Sequence, residues 1–147
     1  MLEMKLSTKS RYGLRILLQI AIDNRDGKAA QGKSISKKQE ISEPYLEQIM
    51  IPLKNAGLVR TTRGCNGGYF LNKDPKDVTV LAVIELFEGE LNLVDCVSEE
   101  KNCPRIKKCQ TSSVWKKIAD SIRETAGKIT LASILDEHKD NALEYVI

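Results

Sequence analysis

Three features of the 147-residue sequence predict a mainly α fold with one small β-hairpin. Apolar residues recur at helical spacing through most of the chain, glycines bracket two short strand-like runs near residue 64, and the longest apolar runs fall far short of a membrane span. A mass of 16.5 kDa suits one ordinary domain with at most a small appendage. Hydrophobic residues at 41% and charged residues at 29% are the balance of a soluble globular chain with enough apolar material for a core.

The first helix spans Ser7 to Asn24, opening with Ser7-Thr8 as a cap and continuing through Leu14, Leu17, Leu18, Ala21 and Ile22. A polar segment with Gly27 and Gly32 follows, and Ser34 to Gln39 reads as a short second helix capped by Ser34 or Ser36. The third helix is capped by Ser42 and tolerates Pro44 in its first turn, where a missing N–H costs nothing. Pro52 is expected to kink or divide it, and Gly57 ends it as a left-handed cap. Leu58-Val59-Arg60 then begins a strand, Arg63-Gly64-Cys65-Asn66-Gly67-Gly68 turns, and Tyr69-Phe70-Leu71 returns. Helices joined by a short turn and followed by a hairpin make a winged helix-turn-helix.

Asp74-Pro75 marks a further turn, and Val80, Leu81, Val83, Ile84, Leu86 and Phe87 fit a buried helix ending at Gly89. Regular patterning fails from Glu90 to Ser112, a stretch that holds three of the four cysteines, and a loop of that length calls for an organiser such as a metal centre. The helix from Ser113 to Lys128 places Trp115, Ile118, Ile122, Thr125 and Ile129 at alternating steps of three and four, which suits a seam with a partner helix. Leu131, Ile134 and Leu135 predict a last short helix before a polar tail. The expected division is a winged helix-turn-helix DNA-binding domain over 1–89, a cysteine-rich loop over 90–112, and a dimerisation helix with the C-terminal segment over 113–147.

The net charge of +3 is unevenly distributed. Residues 1–76 carry 14 Lys and Arg against 7 Asp and Glu, and residues 77–147 carry 9 against 13. A basic first half suits a polyanion; an acidic second half suits sensing or self-association. Within the third helix Ser42, Tyr45, Glu47 and Gln48 offer a hydroxyl, a phenol, an acceptor for cytosine amino groups and an amide suited to adenine, at the end that enters a major groove. Arg63 stands at a glycine-rich turn that can approach a narrow minor groove. Glycine-rich loops that cradle nucleotide phosphates precede a helix N-terminus, whereas this one joins two strands.

The thiols stand as Cys96-x6-Cys103-x5-Cys109, with Cys65 apart in the wing. Three thiols within fourteen residues suit an iron-sulfur cluster, but this spacing alone leaves zinc and a thiol or disulfide switch open. Lys101, Arg105, Lys107 and Lys108 surround them, and their charge is expected to lower thiol pKa values and to offset the charge of a cluster. The opening residues Met1 to Lys5 lack an apolar signal segment, so a cytoplasmic protein with reduced thiols and no membrane contact is expected. An enzyme is not expected: the single histidine, His138, lies in a polar stretch, and no nucleophile stands with a base.

Four blocks in order, Lys5 to Gly13, Ile41 to Gln48, Arg63 to Tyr69 and the three-cysteine loop, resemble the IscR, NsrR and CymR group of bacterial winged-helix regulators over nearly the whole chain. The resemblance implies a homodimeric transcription regulator, usually a repressor, that binds a near-palindromic double-stranded DNA operator and responds to an iron-sulfur cluster, of the 2Fe-2S type in the IscR-like branch. It implies Cys96, Cys103 and Cys109 as ligands and Ser42, Tyr45, Glu47, Gln48 and Arg63 as DNA contacts. Pro44 departs from the serine of the IscR branch. That branch also carries a histidine three residues after the last cysteine, where this chain has Ser112, although Trp115 matches the tryptophan that follows. In the nitric-oxide-sensing branch an aspartate of the first helix is a ligand, and the matching position here is Arg11. The CymR branch lacks the three cysteines, so the resemblance points to an IscR-like type with an altered fourth ligand. That ligand is expected from a weaker oxygen donor, a partner subunit or an external thiol; among internal candidates Ser112 ranks first by position, then Asp95, Glu99 and Glu100 by proximity, and His138 last. The competing expectations are a cluster-free thiol or zinc regulator of the same fold and an iron-sulfur carrier that does not bind DNA.

Overall fold

The computed structural model describes residues 5–94 and 103–144, with side chains described as far as residue 139. Its elements are α1 (Thr8–Asp23), α2 (Gly32–Gln39), α3 (Glu43–Asn55), β1 (Val59–Thr62), β2 (Gly68–Leu71), α4 (Val80–Glu88), α5 (Ser112–Lys128) and α6 (Leu131–Glu144). The mainly α architecture with a single hairpin agrees with the sequence reading.

Helix α1 supplies the centre of the core. Ile16, Leu17 and Ile20 recur at helical spacing and are fully buried, packed with Ile35 of α2, with Leu46, Ile49, Met50 and Leu53 of α3, and with Val59, Val78 and Val83. Leu131, the first residue of α6, is buried in the same cluster. The chain reaches it because Leu131 donates its N–H to the Val78 carbonyl and Val80 donates to the Ile129 carbonyl, pairing the segment after α5 with the segment before α4. The start of α6 therefore shares the core of the winged unit.

The caps of α1 and α3 follow the sequence. Ser7 Oγ accepts from the Ser10 N–H at 3.1 Å, and Ser42 Oγ accepts from the Tyr45 N–H at 3.2 Å. Gly57 lies at φ 74°, the left-handed conformation in which a side chain would be strained, and Leu58 N–H closes the helix end on the Leu53 carbonyl.

Three local expectations are corrected. Helix α2 begins at Gly32, with Gln31 rather than Ser34 or Ser36 as its N-cap residue. The reason is long-range: Ala30 exchanges two backbone hydrogen bonds with Tyr69 of β2, which holds the chain extended up to Gln31 and releases it into the helix there. The Ser36 hydroxyl is spent instead on the Ile41 carbonyl, closing the turn between α2 and α3. Pro52 does not divide α3, which runs unbroken to Asn55. It lies in the last turn, where it forfeits a single intrahelical N–H, and the buried face formed by Leu46, Ile49, Met50 and Leu53 spans it. Helix α6 is not short: it runs for 14 residues, because one apolar face anchored at Leu131 suffices while the opposite face stays polar.

Helices α1 and α4 are joined at their ends by Glu88. Its carboxylate accepts from the Ser7 N–H at 2.7 Å and from the Ser10 hydroxyl at 2.5 Å, so the C-terminal end of α4 fills the donor-rich start of α1. The Ser10 hydroxyl, then the Ser7 hydroxyl and N–H, hold the Glu88 carboxyl below its ordinary value. A depressed carboxyl contributes stability that is present above its unfolded pKa and is lost as pH falls through its folded pKa. Urea denaturation from neutral pH down through the carboxylate range should show a shallower acid loss for Glu88→Gln than for the parent protein. Identical acid limbs would place the contribution elsewhere.

Candidate nucleic-acid interface and cysteine loop

One face of α3 is committed to the core, and the periodicity of the helix turns Glu47, Gln48 and Ile51 outward. All three are exposed, as are Ser42 and Glu43 at the helix start. Ser42 has a double position: its Oγ is occupied as the α3 cap, yet the residue remains on the surface. Tyr45 is half-buried. Its ring meets the edge of Tyr12 at 6.0 Å and 89°, and the Arg15 guanidinium lies 4.8 Å over the Tyr12 ring. Arg15 Nε also donates to Gln39 Oε1 of α2 at 2.8 Å, so Arg15 and Tyr12 of α1 reach both α2 and the Tyr45 flank of α3.

The hairpin pairs Val59 with Leu71, Arg60 with Phe70, Thr61 with Tyr69 and Thr62 with Gly68. Arg60 lies 4.5 Å over the Phe70 ring across the pair, and Arg63 stands exposed at the tip before Gly64 at φ 104°. Between the wing and the starts of α2 and α3 is a cleft of about 360 Å³, lined in part by Lys33, Glu43, Glu47, Thr61 and Tyr69. Burial and then the charge of Glu47, which lines the same cleft, raise the Tyr69 hydroxyl above its ordinary value. The structure thus brings Glu47 to the same cleft as the wing strands, with Arg63 at the far end of the hairpin.

Of the cysteine loop, Cys103 and Cys109 are half-buried and described, whereas Cys96, Asp95, Glu99 and Glu100 lie outside the described residues. Cys109 stands just before α5. Its sulfur is 3.4 Å from the Thr111 hydroxyl, and that hydroxyl, followed by the N–H groups of Thr111 and Ser112, lowers the thiol below its ordinary value. Among the described residues the causes of that lowering are hydrogen bonds at and just before the helix start, not the charges of Arg105, Lys107 and Lys108. Ser112 is the first residue of α5 and donates its hydroxyl to the Cys109 carbonyl at 3.1 Å, which sets it beside Cys109. His138 is exposed on α6. Among the described residues no three His, Cys, Asp or Glu side chains stand together as a metal site. The two described sulfurs, Cys103 and Cys109, are soft donors of the kind that iron or zinc takes. Cys65 is exposed in the wing, apart from these thiols.

Sequence reasoning missed Arg123. Its guanidinium on α5 donates to the Leu91 carbonyl at 2.5 Å and to Asn92 Oδ1 at 2.8 Å, and pairs with Asp120 at 3.0 Å and Glu90 at 3.8 Å. The entry to the loop is therefore strapped to the same helix whose start holds Cys109. That helix buries Ala119 and Ala126 and packs on α4, leaving Trp115, Ile118, Ile122 and Ile129 between 36% and 42% exposed in one apolar stripe. No heptad rule reveals Arg123, since apart from Asp120 its partners, Glu90, Leu91 and Asn92, lie about thirty residues back.

Comparisons with known proteins accord with this geometry. A family model described as Rrf2, iron-dependent transcriptional regulator, matches residues 6–137. The chain is 36% identical over 146 residues to the HTH-type transcriptional regulator CymR of Bacillus subtilis strain 168, covering 97% of this chain and 100% of the relative. It is 34% identical over 133 residues to the regulator IscR of Yersinia pseudotuberculosis, covering 90% and 80%. Among solved structures, CymR of B. subtilis, described as its global cysteine regulator, superposes with a TM-score of 0.74 at 34% identity over 92% of this chain and 98% of that one. The structure described as T. potens IscR gives a TM-score of 0.74 at 36% identity over 94% and 90%. No helix among the described residues is long and apolar enough to cross a membrane. The chain belongs to the Rrf2 family, and is a DNA-binding transcriptional regulator and not an enzyme.

Proposed function

We propose that this chain is a homodimeric repressor that reads a two-fold operator and is controlled by an iron-sulfur cluster, of the 2Fe-2S type, held by Cys96, Cys103 and Cys109. The observation that carries the DNA reading is the outward face of α3 lying beside a basic wing: Glu47 and Gln48 turn away from the core while Arg63 stands exposed at the hairpin tip. Ser42, Tyr45, Glu47 and Gln48 meet base edges and backbone in the major groove, and Arg63 enters the neighbouring minor groove. A carboxylate facing phosphates is repelled, so Glu47 contributes by accepting from a base amino group. The apolar stripe of α5 supplies the dimer contact, which covers side chains otherwise left in water. The dimer works in the cytoplasm.

When bound, a cluster supplies an oxidant-sensitive element that can be lost or change its electron count. The chain's own residues make that event felt. Cys109 and Ser112 sit at the start of α5, Arg123 straps residues 90–92 to the same helix, and α5 packs on α4, which packs on α1. A change in the loop therefore acts on the helix that carries the dimer stripe and on the unit that carries α3. Ser112, set beside Cys109 by its bond to the Cys109 carbonyl, is the first candidate for a fourth ligand. A neutral hydroxyl binds weakly, which makes the centre easily lost. A second reading, a cluster-free thiol switch, has one specific support in the lowered Cys109 thiol, and a solved relative is described as an oxidised form of Staphylococcus aureus CymR.

On the DNA side, Arg63→Ala should weaken operator binding by about 1–3 kcal/mol, while Glu47→Ala should retain affinity for the best operator and bind base-substituted operators more evenly. Equal losses of both variants on every DNA sequence, measured by fluorescence anisotropy, would remove base reading by Glu47.

For the loop, anaerobic purification followed by a visible spectrum and iron and sulfide assays separates cluster, zinc and bare thiols. Cys96→Ser, Cys103→Ser and Cys109→Ser should each abolish the visible absorption, and Cys65→Ser and His138→Ala should keep it. A full cluster in any loop variant, or its loss in the Cys65 variant, would overturn the ligand set; zinc or bare thiols in the parent protein would favour the second reading.

A further inference from the structure

Besides the burial of Val59 in the core, the wing is hydrogen-bonded along the edge of β2 to the segment between α1 and α2. Asn24 at the end of α1 donates its amide to the Lys28 and Tyr69 carbonyls, at 2.9 and 3.1 Å, and accepts the Leu71 N–H on Oδ1 at 3.0 Å. Ala30 and Tyr69 exchange backbone hydrogen bonds at 2.8 and 2.9 Å. Nearest the tip, Gln31 Nε2 donates to the Gly67 carbonyl at 2.6 Å. Gly68 permits this close approach, since a Cβ there would lie 2.5 Å from the Ala30 carbonyl oxygen; Gly67 permits the tight turn of the hairpin itself, where a Cβ would lie 2.4 Å from the Thr62 carbonyl oxygen.

We infer that Gln31 is a positioning residue for DNA binding: its bond to Gly67 sets the height of the Arg63 tip over α3 before DNA arrives. Gln31 is the N-cap residue of α2, yet its side chain makes no cap bond and reaches across to the wing. The tip beyond it is a turn closed by the Gly67 N–H on the Gly64 carbonyl, with Arg63, Gly64, Cys65 and Asn66 all exposed. Without the Gln31 bond, the outermost attachment is the Ala30-Tyr69 pair two residues further back. Arg63 must then be ordered during binding, and the entropy of that ordering subtracts from affinity. The exposed amide adds little to fold stability, because water replaces its bond in the unfolded chain.

This inference rests on the proposed minor-groove contact of Arg63, and a double-mutant cycle separates the two. Gln31→Met keeps the length of the side chain and removes the donor. Operator affinity of the full-length protein, measured by anisotropy, should fall roughly three- to tenfold in Gln31→Met, with the thermal midpoint unchanged within about one degree. In the Arg63→Ala background the same substitution should change affinity by less than about twofold, because the side chain it positions is gone. If Arg63→Ala itself costs nothing, the wing contact is wrong and the inference falls with it. If Arg63→Ala weakens binding but Gln31→Met does not, or if the two losses simply multiply, the wing contact stands and the positioning role of Gln31 is overturned.

Discussion

The burial of one face of α3 against α1 is the constraint on which the rest of the molecule depends. Leu46, Ile49, Met50 and Leu53 are all between 0% and 2% exposed, and they meet Ile16, Leu17 and Ile20 of α1. Each such side chain contributes about 1.5–3 kcal/mol through burial. Rotating α3 by even one residue would forfeit several of these contacts at once, so Glu47 and Gln48 are held outward by the same energy that forms the core. The outward face of α3 is thus a by-product of packing, fixed by side chains buried in the core. Flexible recognition would need an unpacked helix, and this one is pinned along its whole length.

Where local chemistry decides structure, the sequence was legible. The caps at Ser7 and Ser42, the left-handed Gly57 and the glycine-rich turn of the wing are all decided within a few residues, and each lies where it was expected. The start of α2 was illegible because its cause is a backbone pairing between Ala30 and Tyr69, thirty-nine positions apart. Pro52 misled for a similar reason: helix propensity argues for a break, but the apolar face that spans the proline outweighs it. The length of α6 was hidden by its polar composition, since the single anchor Leu131 draws its support from α1 and the segment around Val78.

The candidate site divides along the same line. Exposed residues of α3 follow from periodicity alone, and Arg63 follows from its place beside glycine. The thiols are legible as residue types, but their electrostatics are not. Flanking lysines suggested that charge would lower the thiol pKa, whereas the Thr111 hydroxyl and two helix-start N–H groups do so at Cys109. Arg123, Asn24 and Gln31 carry no motif; they are identified by what they reach across the fold. Together they join the three functional parts: Arg123 ties the loop to α5, while Asn24 and Gln31 tie the wing to the helices.

The central claim is that α3 and the wing grip DNA as one rigid unit in each half of a two-fold dimer. Hydroxyl-radical footprinting on an operator selected from random sequence tests it most directly. Two symmetric protections centred one helical turn, about 34 Å, or a multiple of it apart, each with a minor-groove component that disappears in Arg63→Ala, are the predicted result. A single protection at one protein per DNA, or equal protection of random sequence, would contradict the account.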